Sequence, residues 1–142
     1  MLKYKIVSRK NPMNKSVKWY ASIATPMPVT LNELAENIEK SSTVSRADAK
    51  AVIDALQYEI KKALLDGKSV RLGDLGSFRV TLGSSGAYSE KEFQTNMIKR
   101  VRVQFQPSTE LRNAFAVSSA NPSLKFQRVT VKQDEVSEEG GV

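Results

Sequence analysis

Neither cysteine nor histidine occurs in these 142 residues. The first absence excludes a disulfide scaffold, a CxxC redox pair, a cysteine nucleophile and a thiolate zinc site. The second removes the Ser-His-Asp triad and any imidazole metal ligand, so catalysis would fall to Asp, Glu, Lys, Ser or Tyr alone, and nothing calls for a cofactor. Long hydrophobic runs are also missing. No apolar span reaches 18 residues, and the opening MLKYKIVSRK is broken by bases before it attains the length of a signal-peptide core. The expectation is a cytoplasmic protein with no membrane partner. What is there, 40% apolar and 26% charged residues over the length of one ordinary domain, is enough to bury a core.

Charge is unevenly placed. The 22 Lys+Arg exceed the 15 Asp+Glu to give +7, yet residues 133–142 (QDEVSEEGGV) hold four acids and no base, which leaves +11 on residues 1–132. Residues 1–28 contain six bases, Lys3, Lys5, Arg9, Lys10, Lys15 and Lys18, and no acid. Such a balance suits a polyanionic partner, although solvation by lysine alone explains it equally well.

Periodicity organises the chain. Residues 2–7 and 17–23 alternate apolar and polar side chains as half-buried strands do, around the exposed loop SRKNPMNKS. Pro26 and Pro28 mark a boundary. Thr30 with Glu33 forms a capping box before Leu31, Leu34, Ala35 and Ile38, and Ser45 with Asp48 opens a longer helix along Val52, Leu56, Ile60 and Leu64, closed by Gly67. The period then changes to two: Val70 and Leu72, a Gly73–Gly76 turn, Phe78, Val80 and Leu82, and later Val101, Val103 and Phe105. Residues 83–99 between them show no period and read as a mobile excursion. Ser108 caps a short helix, and Leu124, Phe126, Val129 and Val131 suggest a last strand with a bulge near Gln127-Arg128. The acidic end is expected to be disordered.

With the apolar set of this sheet turned towards the helices, Arg71, Arg79, Arg100 and Arg102 share the opposite face with no acid from the same strands. Four like charges on one surface repel unless an anion lies across them, and the guanidinium fork fits phosphate. The plain alternative is a solvated outward face, which would ordinarily mix both signs. Asp54 with Glu59, or Glu90 with Glu92, read as solvated charges rather than an acid-base pair. Gly73 and Gly76 lie between strands, where no phosphate loop is built.

Residues 30–116 resemble the HU/integration-host-factor family of bacterial architectural DNA-binding proteins: the capped helix TLNELAENIEK, the long helix SRADAKAVIDALQYEIKKALLDG, VRLGDLGSF at the family's strand and turn, an arm, and FQPSTELRNAF at its F-x-P motif. The basic N-terminal hairpin is similar to that of Bacteroides-type HU-like proteins with extra flanking strands. The resemblance implies an α+β fold, a helical hairpin on an antiparallel sheet with a β-arm and accessory strands from both termini. It divides the chain into a hairpin extension over 1–28, an HU-like core over 29–118, a C-terminal strand over 119–132 and the tail over 133–142. It also implies non-enzymatic, largely sequence-independent binding of double-stranded DNA in the nucleoid, by a homodimer.

Departures from the pattern shift the site. No proline occurs between Gly83 and Gln106, so the wedge that the family places between base pairs would fall to Phe93, Met97 or Ile98. The arm is a few residues short, its arginine run is replaced by Thr81, Leu82 and Gly83, and the lysine after F-x-P-G is Thr109. Phosphate contact then rests on Arg71, Arg79, Lys91, Lys99, Arg100 and Arg102. The alternative is an HU-derived structural or protein-interaction module with little DNA affinity.

Overall fold

Two hydroxyls set the helix starts. In the computed structural model, which describes residues 1–118 and 120–130, Thr30 caps α1 (Leu31–Ser41) by accepting from the Glu33 N–H at 3.3 Å, and Ser45 caps α2 (Arg46–Leu65) by accepting from the Asp48 N–H at 3.2 Å. Each satisfies a first-turn N–H that has no partner within its helix. Past the end of α2, Gly67 takes φ +75°, and the Gly67 and Lys68 N–H groups donate back to the Leu64 and Ala63 carbonyls at 3.0 and 3.1 Å.

The chain divides into two units, residues 29–115 and a second unit formed by Met1–Pro28 with the chain from Ala116 onward. In residues 29–115, α1 packs on α2, and α2 touches a three-stranded antiparallel sheet in the order β3 (Val70–Arg71), β4 (Gly76–Ser84), β5 (Ile98–Pro107). The β3–β4 turn closes with the Leu72 N–H donating to the Gly76 carbonyl at 2.8 Å, and Gly73 in it takes φ +55°. Ser108 joins this turn to α3 (Thr109–Ala114): its N–H donates to the Leu75 carbonyl at 3.2 Å, its hydroxyl donates to the Asp74 carbonyl, and its Oγ caps the Leu111 N–H at 3.1 Å.

The second unit is a sheet in the order β2 (Val17–Ile23), β1 (Leu2–Lys10), β6 (Phe126–Arg128), antiparallel between β1 and β2 and parallel between β1 and β6. The bulge expected near Gln127-Arg128 is absent. The register Leu2↔Phe126, Lys3↔Gln127, Tyr4↔Arg128 is unbroken, and the strand ends at Arg128 with one further bond from the Val129 N–H to the Tyr4 carbonyl at 2.9 Å. The change of parity therefore reflects the chain leaving the ladder. Val131 and the acidic segment 133–142 lie outside the described residues. Within the excursion between β4 and β5 the chain makes two short 3-10 turns, Glu90–Glu92 and Thr95–Met97, the first capped by Ser89 accepting from the Glu92 N–H at 3.3 Å.

Glu36 ties the two helices together. Its carboxylate meets Lys40 at 3.2 Å and Arg46 at 3.9 Å, and Arg46 also meets Glu39 at 3.4 Å. The hydrogen bond from Lys40 foremost, then the charges of Lys40 and Arg46, hold the Glu36 carboxyl below its ordinary range. A carboxyl with a depressed folded pKa adds stability that is full above its unfolded pKa and is lost as pH falls through the folded one. Glu36→Gln is therefore expected to lower the thermal midpoint slightly at neutral pH and not at all in strong acid. Because the group is exposed, the difference should also vanish in about 1 M salt, where the Debye length is about 3 Å; calorimetry of both proteins over a pH and salt grid checks this.

Candidate nucleic-acid interface

Strand register sorts the side chains of the β4–β5 arm. Phe78 lies opposite Phe105, Val80 opposite Val103 and Leu82 opposite Val101, so these six share one face, joined there by Val70 opposite Phe78. The Phe78 and Phe105 rings meet at 5.0 Å with a 47° tilt. On the other face the pairs are Arg71 with Ser77, Arg79 with Gln104, Thr81 with Arg102, and Gly83 with Arg100. The four arginines named from sequence are thus brought together, and β3, β4 and β5 contribute no carboxylate.

Two of them are positioned by neighbours. Arg79 Nη2 donates to Gln104 Oε1 at 3.3 Å. Arg100 lies across Gly83: a Cβ built on that glycine would stand 2.6 Å from Arg100 Nε and 2.8 Å from its Cγ. The glycine that replaces part of the family's arginine run thereby provides the floor for an arginine of the opposite strand. Lys99 is the extra residue where the register shifts between Gly83 and Ser84, and its ammonium donates to the Asn96 carbonyl at 3.2 Å.

The remaining sequence candidates lie outside the arginine face. Lys91 sits between Glu90 and Glu92 in the first 3-10 turn, where the local charge is negative. Met97 and Ile98 are half-buried; Met97 Sδ accepts from the Gln94 N–H at 3.4 Å, and Ile98 pairs with Ser84. Phe93 is more open, at 41% exposure. Tyr88, passed over in the sequence, is fully exposed near the arm tip; its signal was a lone aromatic in the small-residue run GSSGAYS. Arg112 was also missed. It lines a polar recess of about 520 Å³ with Arg71, Ser77, Gln106 and Thr109, so one helical step after Thr109 it restores a base where the family's lysine is lacking.

The apolar face is uncovered. Among the described residues the only buried hydrophobic side chains are those of Ala35 and Ala49, while Val101 and Val103 are each 60% exposed. A cavity of about 850 Å³ opens between α2 and the arm, lined by Ile60, Leu64, Phe78, Val80, Val101 and Val103 among others.

Residues 1–121 match the family model described as an HU domain fused to wHTH, Ig, or glycine-rich motif. The chain belongs to this HU/IHF-like family. Integration host factor subunit alpha of Actinobacillus succinogenes is 30% identical over 88 residues, 61% of this chain and 90% of that one. DNA-binding protein HU of Thermus thermophilus is 31% identical over 58 residues, 41% of this chain and 60% of its own. Among solved structures, a putative bacterial DNA binding protein from Bacteroides vulgatus superposes with a TM-score of 0.60 at 16% identity, covering 90% of this chain and 48% of that one. Anabaena HU, cocrystallised with DNA, superposes at 0.50 with 22% identity, covering 63% of this chain and 99% of its own. These two likenesses show the HU-like α+β fold. The chain spans about half the length of the Bacteroides vulgatus protein.

The two arm glycines differ in what a side chain would meet. At Gly76, with φ +147°, a Cβ would stand 2.3 Å from the Gln106 carbonyl oxygen and 2.9 Å from the Phe105 ring; backbone and ring cannot yield, so Gly76→Ala should cost about 2–4 kcal/mol. At Gly83 only the flexible Arg100 side chain must move, so Gly83→Ala should cost less than about 1 kcal/mol. Urea unfolding of both variants measures the contrast.

Proposed function

We propose that this chain binds double-stranded DNA architecturally, through phosphates and with little sequence preference, and carries out no catalysis. The observation that carries the reading is the acid-free face of Arg71, Arg79, Arg100 and Arg102, extended by Arg112 at its base. Guanidinium forks donate pairs of hydrogen bonds to phosphate oxygens, and contacts to the backbone position a duplex without reading bases. Lys99 at the register shift adds a charge, and Phe93 and Tyr88 are exposed aromatic groups between β4 and β5 that suit a minor groove. Membership of the HU/IHF-like family and the names of the DNA-binding relatives support the same reading, which implies a place in the nucleoid.

The apolar face supports a homodimer. A sheet that leaves two valines 60% exposed above an 850 Å³ apolar cavity lacks the other half of its core, and a second copy supplies a self-complementary surface. Val103→Glu is expected to convert a dimer to a monomer in sedimentation equilibrium; an intact protein that sediments as a monomer overturns the pairing.

One observation favours the protein-interaction reading: the arm tip, with Glu90 and Glu92 beside Lys91 and no proline, is acidic where a DNA arm should be basic. A salt series on a short duplex separates the two. Four to six phosphate contacts on the arginine face alone contribute roughly −4 to −5 to the slope of log K against log salt, equally for random and defined sequences. Arg100→Gln with Arg102→Gln should flatten it by about two units. Absence of binding at about 50 mM salt, where counterion release strongly favours association, would instead establish the interaction module.

A further inference from the structure

We propose that the β2-β1-β6 sheet carries a second phosphate-binding surface, which takes the backbone of duplex DNA independently of the β4–β5 arginines. For its partner this rests on the DNA reading above, but it rests on different residues. Residues 1–28 and 116–130 contain eight bases and no acid. The register sets Lys3, Lys5 and Arg9 of β1 on one face with Lys18 and Tyr20 of β2, while Leu2, Tyr4, Ile6, Ala21, Ile23 and Phe126 take the other.

Arg9 lies directly opposite Lys18. Like charges in that position destabilise a sheet, and the described part of this unit has no carboxylate to separate them. A phosphate placed between the two converts one repulsion into two attractions. The Arg9 guanidinium carbon stands 5.5 Å from the centre of the Tyr20 ring, which holds the group by a cation–π contact while its in-plane N–H donors remain for an anion.

The same contact decides which nucleic acid fits. Tyr20 is engaged by Arg9, and Trp19 belongs to the opposite face, so the basic face offers no free aromatic platform on which unstacked bases could lie. A duplex presenting only its backbone fits better than a single strand.

The hairpin tip adds to the charge. Asn11 Oδ1 accepts from the Met13 N–H at 2.9 Å and Asn14 Oδ1 from the Ser16 hydroxyl at 2.7 Å, which fixes the loop. Within it Lys15 takes φ +57°, a left-handed conformation that glycine would adopt without steric cost. A lysine there keeps a positive charge at the tip, next to a recess of about 420 Å³ lined by Arg9, Lys10, Asn14, Lys18 and Tyr20 among others.

Four full-length proteins test this on one duplex over a salt series: intact; Lys5→Gln, Arg9→Gln and Lys18→Gln together; Arg100→Gln with Arg102→Gln; and all five changes. The triple variant is expected to flatten the slope by two to three units and weaken binding on the order of a hundredfold at about 0.1 M salt. The five-site variant should show the sum of the two effects, with far-UV circular dichroism unchanged. Should Arg9→Gln disturb the sheet, Lys5→Gln with Lys18→Gln reads one to two units alone. An unaltered slope in the triple variant overturns the second surface and leaves the arginine face standing. An unaltered slope in the Arg100/Arg102 variant beside a flattened one in the triple variant does the reverse. Capture by phosphatidylglycerol vesicles, lost in the triple variant, with no duplex bound by the intact protein, overturns DNA as the occupant.

Discussion

The antiparallel register of Gly76–Ser84 with Ile98–Pro107 is the constraint on which the candidate site depends. With a side-chain period of two, one choice of pairing sends Phe78, Val80, Leu82, Val101, Val103 and Phe105 to one face and the arginines to the other. A slip by one residue would turn the guanidinium groups towards the helices and the phenylalanines away from them. Gly76 helps to hold that register, because its missing Cβ is what allows the Phe105 ring and the Gln106 carbonyl to approach the turn. Ser108 secures the same end from the partner strand, linking the start of α3 to the turn carbonyls of Asp74 and Leu75.

Packing on the apolar side explains why a single chain looks unfinished. The two buried alanines, Ala35 and Ala49, belong to α1 and α2 and let those helices approach closely, but they remove little apolar surface from water. The larger side chains of α2 and the arm line an open cavity instead. Burial of apolar area is the main favourable term in folding, so a sheet with this much uncovered valine and leucine gains most of its remaining stabilisation from whatever covers it.

Local signals were legible in the sequence; pairings across long separations were not. Thr30 and Ser45 cap helices because the hydroxyl and its N–H lie three residues apart, a relation visible in the sequence itself. The arginine face followed from alternation along β4 and β5. Arg100 lying across Gly83 did not, since it needs the register of two strands 17 residues apart in sequence, and the loss of the family's arginine at Gly83 read only as a lost contact. Arg112 was hidden because its approach to Arg71 depends on how α3 is docked. The arm tip has no period to read, and the parallel pairing of β6 with β1 joins opposite ends of the described chain.

The arginine face and the hairpin face hold the same sign of charge in different ways. On β4 and β5 each arginine is opposite a neutral residue, Gln104, Thr81 or Gly83, so like charges meet only on diagonals or along one strand. Diagonal neighbours on a sheet are about 7–8 Å apart, close to one Debye length at physiological salt, which lets screening and the Arg79–Gln104 hydrogen bond offset the repulsion. On β1 and β2, Arg9 and Lys18 are directly opposite, and the Tyr20 ring is the nearest relief. The repulsion between directly opposite charges is therefore larger on the hairpin, and under the proposed phosphate binding its relief would contribute more there. Arg79, held by Gln104, and Arg100, lying on the Gly83 floor, would lose less side-chain freedom on the proposed contact with phosphate. If both surfaces take phosphate as proposed, one would gain from relieved repulsion and the other from side chains held in place beforehand, so equal numbers of bases on the two need not give equal affinity even where they give equal dependence on salt.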